Sequence, residues 1–435
     1  MKSLYLNFAV KSLVNRARQY RSLFAVSAVG VCIMLSVLMI TDGMLDSMTE
    51  KMRQYYGGDF MILGGVKYVD ENCSEYTIEN SQRMLDALKE ILPKDAEISV
   101  RNTKTGGDKS FFFEGTGVKQ RTLHGVDFEN ERALFQKFTF VEGDAEPRTD
   151  HDGVVISLPV ARKLGVHVGD EVTLFFDEDG LKNTIMLVVT GIFQDSSVFG
   201  MYTSYMDYQA SKKILSLGEI NAIDKICVYY KNGSPSAGEI SRVQNELEKR
   251  FKMFPLSDDK EKWRDYDKEP DEEIYALIPL SANISELQTL ASALHAIVAL
   301  IVAMLVLIIS VGISSTFRVI VMKRAVESGT FRALGMKPSG LMTLYFTEVF
   351  VLLVSGCVIG FALSLVTVKI VSVFNLSFIS GFDLFLTGGC LAPRLYGIKA
   401  IFLAAVIFVT TLGAVLFTLR KLIHISPVGA LSTVT

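Results

Sequence analysis

Four long stretches without a charged side chain constrain the fold of this chain more than any other feature. Each has at least about 20 residues, enough for a helix rising 1.5 Å per residue to cross the roughly 30 Å hydrocarbon core of a bilayer. They are Ser22–Thr41, Leu287–Phe317, Val349–Val368 and Ala400–Leu419. The pattern predicts four transmembrane α-helices. It excludes a simple soluble enzyme and an outer-membrane barrel, whose strands are short and alternating.

Charge is distributed unevenly along the 435 residues, whose formal net charge is −3. The first 40 residues carry five Lys or Arg and no Asp or Glu, and residues 318–435 carry ten basic against three acidic residues. The long segment between them is strongly acidic, so the chain has no basic face suited to nucleic acid. Because cytoplasmic loops are enriched in Lys and Arg, both termini are predicted to be cytoplasmic. Residues 42–286 are then periplasmic in a cell with two membranes.

This topology predicts a four-helix protein of the bacterial cytoplasmic (inner) membrane, with a large extracytoplasmic α/β domain on a helical stalk between the first and second spans. The predicted segments are a cytoplasmic amphipathic helix (1–21), the first span and stalk (22–56), a periplasmic core domain of two subdomains (57–280), the stalk and second span (281–317), a cytoplasmic coupling helix (318–340), the third span (341–369), a short periplasmic loop (370–399), the fourth span (400–419) and a cytoplasmic tail (420–435).

Apolar residues continue at helical spacing beyond the first span and before the second. The residues assigned to this stalk are Met44, Leu45, Met48, Met52, Leu287 and Leu290. Few Gly or Pro residues interrupt either run, which favours a helical stalk over the alternative of a disordered linker.

The outer domain is predicted to mix helices and strands. Helical periodicity occupies Gln82–Leu92 and Ile240–Phe251. Strand-like runs are Gly58–Leu63, Phe111–Phe113, Gly153–Ser157, Glu171–Phe176, Thr184–Phe193 and Lys225–Tyr230. The highly charged segment Ser257–Glu273 is predicted to be a loop. A disulfide between Cys73 and Cys227 is allowed in a periplasmic domain, and two buried free thiols are the alternative.

The sequence contains no pattern that predicts catalysis or a cofactor. Its five His residues are scattered, without the HxxxH or Cys/His spacing of metal sites. No GxSxG nucleophile motif occurs, and Gly115–Lys119 lacks the GxxxxGK[ST] spacing of a nucleotide-binding loop. No ionisable side chain lies at the centre of a span, unlike in most ion-coupled carriers. The chain is therefore not expected to be an enzyme, and ATP is expected on a separate partner subunit.

Residues 321–336 read VMKRAVESGTFRALGM. This segment resembles the signature of the FtsX-like ABC permeases, the family that holds the exporter MacB and the lipoprotein-releasing permeases LolC and LolE. The matching residues are Arg324, Glu327, Gly329, Arg332, Ala333, Leu334 and Gly335, whereas Ser328 and Met336 differ from the usual pattern. Three further stretches are similar to the family's opening helix, periplasmic core domain and closing motif: Leu6–Arg21, Asp152–Leu174 and Ile425–Leu431.

The resemblance implies a permease subunit that transmits ATP-driven conformational change across the membrane and does not itself conduct the substrate. The inner helix would then dock on a cytoplasmic ABC ATPase dimer, with Arg and Glu pairing across the contact. The residues assigned to this contact are Arg324, Glu327, Gly329, Phe331, Arg332, Ala333, Leu334 and Gly335. A basic loop without a partner is the alternative. A second permease subunit, identical or not, is also implied.

Among members of the family, the size of this chain is most similar to LolC and LolE, so lipoprotein release is the favoured function. A MacB-type efflux or peptide/toxin export permease with a separate ATPase is the alternative. A membrane signalling or scaffold protein that regulates periplasmic hydrolases is an alternative of another class. Expected partners also include a periplasmic adaptor or chaperone and membrane lipids, and no nucleic acid. The substrate stays open.

Overall fold

The protein is described here from a computed structural model. The described residues are 11–13, 15–70, 73–78, 81–105, 108–178, 181–197, 199–214, 223–266, 273–379 and 381–423. The predicted closing motif Ile425–Leu431 and residues 1–10 of the predicted opening helix lie outside them. The chain divides into two compact units. The first contains 1–44, 291–374 and 391–435, and the second contains 45–290 and 375–390.

Within the described residues, four helices are long and apolar enough to cross a membrane, which agrees with the predicted number of spans. They are α1 (Ala17–Tyr56), α9 (Ser285–Lys323), α11 (Pro338–Val371) and α12 (Gly397–Ile423). All four are longer than the uncharged stretches because their charged end residues remain in the helix. An α/β sheet domain lies between α1 and α9 in the sequence, as predicted.

The first unit is held together by apolar side chains from all four long helices. Leu23 and Met34 on α1, Phe317 on α9, Leu353 on α11 and Val415 on α12 are at most 1% exposed. Lipid tails are as apolar as these side chains, so close packing rather than exclusion of water favours their contact in a bilayer.

Small residues bring α1 and α11 close together. Gly356 and Gly360 are four residues apart on α11, and a Cβ atom at Gly356 would lie 2.5 Å from Ser27 Oγ. A Cβ atom at Gly360 would lie 2.6 Å from the Ala28 carbonyl oxygen. Small residues at this spacing allow helix backbones to approach closely in membranes. This contact fixes the pairing of the first and third spans.

The second unit contains the described strands, in chain order. They are β1 (Phe60–Asp70), β2 (Cys73–Thr77), β3 (Ala96–Thr105), β4 (Lys109–Phe113), β5 (Thr116–Lys119), β6 (Thr122–Val126), β7 (Phe140–Gly143), β8 (Gly153–Ser157), β9 (Glu171–Glu178), β10 (Leu181–Phe193), β11 (Thr203–Asp207), β12 (Lys225–Tyr230) and β13 (Ile274–Pro279). The strand order is β13-β1-β12-β3-β6-β11-β8-β10-β9-β4-β5, with β2 beside β1 and β7 beside β10. The β6–β11 and β8–β10 pairs are parallel, and the others are antiparallel.

Short helices lie between these strands, and one more follows the last strand. They are α2 (Ser81–Ile91), α3 (Arg132–Phe135), α4 (Leu158–Leu164), α5 (Tyr208–Ile214), α6 (Ala237–Glu248), α7 (Glu261–Arg264) and α8 (Leu280–Asn283). Helix α6 begins with a capping box in which Ser236 Oγ accepts from the Glu239 N–H and the Glu239 side chain accepts from the Ser236 N–H. A tenth helix, α10 (Ala325–Ala333), follows α9, and a 3₁₀ turn covers Phe382–Phe385.

Two apolar clusters cover different parts of the sheet. One is built mainly from the middle of the outer segment and includes Phe111, Val154, Ile156, Leu174 and Leu187. The other combines its two ends and includes Phe60, Leu88, Val228, Val243 and Leu277. The strands nevertheless form one sheet, so the two predicted subdomains stay a prediction.

Local sequence patterns located part of this architecture. Strand β12 has the predicted bounds, and the predicted helix Gln82–Leu92 differs from α2 by one residue at each end. The predicted loop Ser257–Glu273 contains α7, whose Trp263 is buried. The Cys227 thiol is buried and free, so the alternative without a disulfide is the one observed at this residue.

Candidate functional site

The segment between α9 and α11, called the inner segment because it is predicted to be cytoplasmic, is a short helix set off by two breaks in the backbone. Arg324 leaves the helical region at φ −102° and ψ 16°, which separates α9 from α10. Gly335 then takes a left-handed φ of +91°, a conformation that favours glycine. Pro338 begins α11 at a position where its missing N–H leaves no bond unmade. These breaks separate α10 from the long helices on either side of it.

A buried ion pair anchors the first break. Arg324 Nη1 donates to both carboxylate oxygens of Glu348, at 3.0 and 2.7 Å. Tyr20 OH donates to Glu348 Oε2 at 2.8 Å and lies 3.0 Å from Arg324 Nη1. The Arg324 and Glu348 side chains are 4% and 0% exposed. Residues of α1 and α11 therefore meet at the junction of α9 and α10.

Glu327 extends the same network toward the N-terminal part of the chain. Its carboxylate accepts from Arg324 Nε at 3.1 Å and from both terminal nitrogens of Arg16, at 2.9 and 2.5 Å. The Arg16 contact is bidentate, the geometry that a planar guanidinium forms best with a carboxylate. Two Arg and two Glu side chains thus balance their formal charges. We call Arg16, Tyr20, Arg324, Glu327 and Glu348 the inner network.

Electrostatics favour the charged forms of Glu327 and Arg324. The hydrogen bond from Arg16 lowers the pKa of Glu327 below its usual value, with Arg324 acting in the same direction and partial burial opposing. Burial lowers the pKa of Arg324, but the Glu348 charge and hydrogen bond, together with Tyr20 and Tyr345, outweigh burial, so the net pKa is raised. Removal of one member of a buried ion pair leaves the other charge buried without a partner, which destabilises the folded protein. The network therefore acts as a unit.

A second set of contacts holds α10 against α11. Ser328 Oγ lies 2.5 Å from Tyr345 OH, and the Arg324 guanidinium lies 5.2 Å from the centre of the Tyr345 ring. Phe331 and Met336 pack against the apolar core of the long helices. The position of α10 is consequently coupled to the third span.

The residues assigned to ATPase docking divide between a buried and an exposed side of the inner segment. Arg324 and Gly329 are buried, whereas Glu327, Phe331 and Arg332 are half-buried. The exposed members are Ala333, Leu334 and Gly335, and Leu334 is 80% exposed. Val326 and Thr330, which the sequence analysis did not select, are also exposed. A partner would meet these apolar and small side chains first, while Arg324 is engaged within the chain.

The predicted stalk residues have different surroundings on the two helices. On α1, Leu45, Met48 and Met52 are buried and Met44 is half-buried. On α9, Leu287 is half-buried and Leu290 is exposed. Both helices are unbroken through these residues.

The last turn of α1 is fixed to the sheet by two buried arginines. Arg53 Nη2 donates to Asp59 Oδ2 at 2.8 Å and to the Tyr230 carbonyl at 2.9 Å. Arg101 on β3 donates to the Tyr55 carbonyl at 3.0 Å.

Arg101 also forms a bidentate pair with Glu131, with Nε 2.8 Å from Oε1. Burial lowers the pKa of Arg101, but the charge and hydrogen bonds of Glu131, with smaller contributions from Cys227 and Tyr205, outweigh burial, so the net pKa is above its usual value. A cation near the C-terminus of a helix also interacts favourably with the negative end of the helix dipole. The α1–sheet junction is therefore held by one arginine from the helix, Arg53, and by one from the sheet, Arg101.

Residues 375–390, part of the predicted short periplasmic loop (370–399), belong to the same compact unit as the sheet. Asp383 is buried, and its Oδ2 accepts from Ser196 N at 2.9 Å and Ser196 Oγ at 2.7 Å. Gln194 Nε2 donates to the same oxygen at 3.1 Å. The two segments predicted to be outside the membrane are thus in contact.

Two family profiles match the chain. The family described as MacB-like periplasmic core domain matches residues 25–239. The family described as FtsX-like permease C-terminal matches residues 299–427. The two matches support an FtsX/MacB-like permease. These domains indicate the permease component of an ABC transporter in the inner membrane, and members of the family are transport components rather than enzymes.

Other comparisons add little about this FtsX-like permease. A solved domain, described as part of a permease protein from Porphyromonas gingivalis, is 15% identical and covers 51% of this chain and 88% of that chain. Its TM-score of 0.28 is too low to bear on fold or function. No curated protein matches the chain significantly.

The inner network of the permease shows what local sequence patterns missed. Arg16 and Tyr20 lie four residues apart, yet in the sequence Arg16 stands out only as one of the five basic residues among the first 40. Glu348 lies in the predicted third span, and no local pattern links it to Arg324. An arginine and a glutamate on separate helices can form a pair, but nothing in the sequence specified that Arg324 pairs with Glu348. Within the described ranges, no three His, Cys, Asp or Glu side chains come together as a metal site.

Proposed function

We propose that this permease is a mechanical transmitter, which passes ATP-driven movement from a cytoplasmic ATPase dimer to the sheet domain on the far side of the membrane. The inner network supports this function most directly. Because Arg324 joins the α9–α10 break to α1 and α11, a partner that moves α10 also pulls on three long helices. The exposed side of α10, with Leu334 at its end, is the proposed docking surface.

The proposed topology places both termini in the cytoplasm and the sheet domain in the periplasm. Basic residues before α1 and around α10 favour a cytoplasmic position for these segments. Contact of Asp383 with Ser196 supports a common side for the sheet domain and the loop between α11 and α12.

The first helix is the proposed transmitting element. It is one unbroken helix with Tyr20 of the inner network near its start and Arg53 of the α1–sheet junction near its end. Since Arg53 and Arg101 are buried at that junction, a rotation of α1 would reach the sheet with little loss. Met44, Leu45, Met48, Met52, Leu287 and Leu290 form the proposed stalk.

Two permease subunits, identical or different, are proposed for each ATPase dimer because a two-fold partner offers two docking sites. The favoured substrate is a lipoprotein released from the inner membrane, supported by the resemblance to LolC and LolE. A periplasmic chaperone or adaptor would receive it.

The test uses the permease reconstituted in vesicles with its ATPase and a fluorescent lipoprotein. ATP is expected to release the lipoprotein into the soluble fraction, whereas Glu327→Lys is expected to abolish release and leave membrane insertion unchanged. ATP hydrolysis without lipoprotein release by the intact complex would reject this substrate. Normal ATP turnover and release by Glu327→Lys would reject transmission through the inner network.

A further inference from the structure

A long apolar groove lies between α9 and α12 in the first unit. Its volume is about 1280 Å³, above the roughly 300–1,000 Å³ of ordinary small-molecule pockets. Val302 and Val306 on α9 face it, together with Phe402 and Val406 on α12. Such a lining accepts hydrocarbon and offers almost nothing to a polar solute.

The dimensions of the groove fit a lipid tail. Its lining extends from His295 to Val311 on α9 and from Ile398 to Ala414 on α12. Each interval is 16 residues, which corresponds to about 24 Å of helix. One leaflet provides about 15 Å of hydrocarbon, half of the full core. The groove is therefore long enough to hold the whole length of an acyl chain from one leaflet.

Charged side chains occur at one end of the groove. Lys399 Nζ donates to Asp42 Oδ1 at 2.7 Å, and His295 Nε2 lies 3.5 Å from the same oxygen. The Asp42 side chain is 6% exposed, whereas those of Lys399 and His295 are 47% and 49% exposed. The buried carboxylate thus holds two nitrogen groups at the mouth of the groove, and Lys399 has three N–H donors, of which Asp42 takes one.

The opposite end differs in its polar chemistry. Ser310 Oγ lies 3.2 Å from Thr411 Oγ1 and 3.4 Å from Thr410 Oγ1, so these hydroxyls bond to one another. An anionic headgroup is therefore complementary to the Lys399 end alone. The Tyr396 ring, 4.8 Å from Lys399 Nζ, adds the kind of aromatic group found at membrane interfaces.

We propose that this groove binds one phospholipid of the surrounding bilayer, with its acyl chains between α9 and α12 and its phosphate at Lys399 and His295. Basic pockets between membrane helices bind lipid headgroups by the same chemistry. The bound lipid fills space that would otherwise separate α9 from α12. This site is independent of the substrate proposed for the transporter.

The test is native mass spectrometry of the full permease, purified in mild detergent, delipidated and titrated with dioleoyl phosphatidylglycerol. The wild type is expected to bind one lipid more tightly than any further lipid. Ala303→Trp with Ala405→Trp, two substitutions that fill the groove, should weaken this first binding step at least tenfold. Lys399→Gln should also weaken it, and Lys399→Arg should retain it.

Ala362→Trp is the matched control, because Ala362 is an exposed residue of α11 outside the groove lining. It should bind lipid as the wild type does, and thermal unfolding should show that every variant is folded. Equal binding by the filled variant and the wild type would overturn the proposal. The proposal would also be overturned if the filled variant dissociated from dimer to monomer without losing lipid. That result would show that the groove binds a second copy of the chain.

Discussion

Arg324 and Glu348 form an ion pair with a 2.7 Å contact in which neither side chain is more than 4% exposed. Arg324 stands at the break between α9 and α10, and Glu348 is part of α11. The pair therefore joins the inner segment to the third span through a bond that water does not screen. Tyr20 and Glu327 connect the same pair to the first span and to Arg16.

Arg324→Gln should destabilise the permease because Glu348 would remain buried without a cation. Breaking one side of a buried ion pair costs about 3–5 kcal/mol. Thermal unfolding of the protein in detergent should show a clear fall in Tm. Lys249→Gln removes one side of an exposed pair with Glu246 and should leave Tm unchanged. Equal Tm values for the wild type and Arg324→Gln would contradict the burial of this pair.

The double variant Arg324→Met/Glu348→Met separates stability from transmission. Replacement of both members of a buried pair by apolar side chains of similar size is often neutral or stabilising. The double variant should therefore recover Tm but still hydrolyse ATP without substrate release. Recovery of release together with Tm would show that the pair is structural only.

Leu334→Asp should weaken docking of the ATPase without affecting the fold, because Leu334 is 80% exposed. Loss of an apolar anchor from an interface is expected to lower affinity at least tenfold, or about 1.4 kcal/mol. Binding of the ATPase to immobilised permease measures this change. Val373→Asp, at an exposed position just beyond the end of α11, is the control and should bind as the wild type does. Unchanged affinity for Leu334→Asp would exclude this end of α10 from the interface.

Arg101→Lys should loosen the α1–sheet junction. A lysine keeps the charge opposite Glu131, but one ammonium group cannot also reach the Tyr55 carbonyl as the guanidinium fork does. ATP turnover should continue while release per ATP falls. Arg250→Lys, in an exposed pair with Glu90, should change neither quantity. Full release by Arg101→Lys would argue against the junction as a transmitter.

Met48→Pro should interrupt α1 within the proposed stalk, at a cost of about 3 kcal/mol for proline in a helix interior. Met48 is buried, so Met48→Leu is the conservative control. The proline variant is expected to hydrolyse ATP and release no substrate, measured in the same vesicles. If its ratio of release to hydrolysis equals that of the leucine variant, force does not pass through this helix.

Cys227 should resist alkylation at pH 8. Burial raises its pKa from 9.0 to about 11, which leaves on the order of 0.1% thiolate at that pH. Between pH 9 and 11 the thiol stays protonated in the folded chain and ionises in the unfolded chain. The contribution of Cys227 to the free energy of unfolding is therefore fully present below pH 9 and is lost as the pH rises toward 11.

Single-cysteine variants carrying Cys227 or the half-buried Cys390 allow a direct comparison of thiol reactivity. Maleimide should label Cys390 first and label Cys227 only after unfolding. Rapid labelling of Cys227 in the folded protein would contradict its burial.

The spans could be predicted because bilayer thickness sets a minimum apolar length that the sequence displays directly. Strand β12 could be predicted because its β-branched and aromatic run is bounded by charged and turn residues. Strand β11 (TSYMD) was missed because it lacks the Val and Ile residues that identify the equally buried β8 and β12, and because it contains Asp, which is depleted in strands.

The sequence predicted only part of the inner network. The resemblance of residues 321–336 selected Arg324 and Glu327, but it assigned Arg324 to a partner protein. Tyr20 and Arg324 are 304 positions apart in the sequence. Their contact depends on the packing of α1 against α11 through Gly356 and Gly360, which no local pattern specifies. The same applies to Arg101, whose role at the end of α1 follows only from the strand order.

Spin-label distances test the central account most directly. A nitroxide at Asn245, an exposed residue of α6, in each of two permease subunits reports the separation of the sheet domains by pulsed electron resonance. ATP trapped in the ATPase is expected to shift this distance in the wild type. The shift should be absent in Arg324→Met/Glu348→Met, although ATP still binds. An equal shift in that variant, or none in the wild type, would contradict transmission through the inner network.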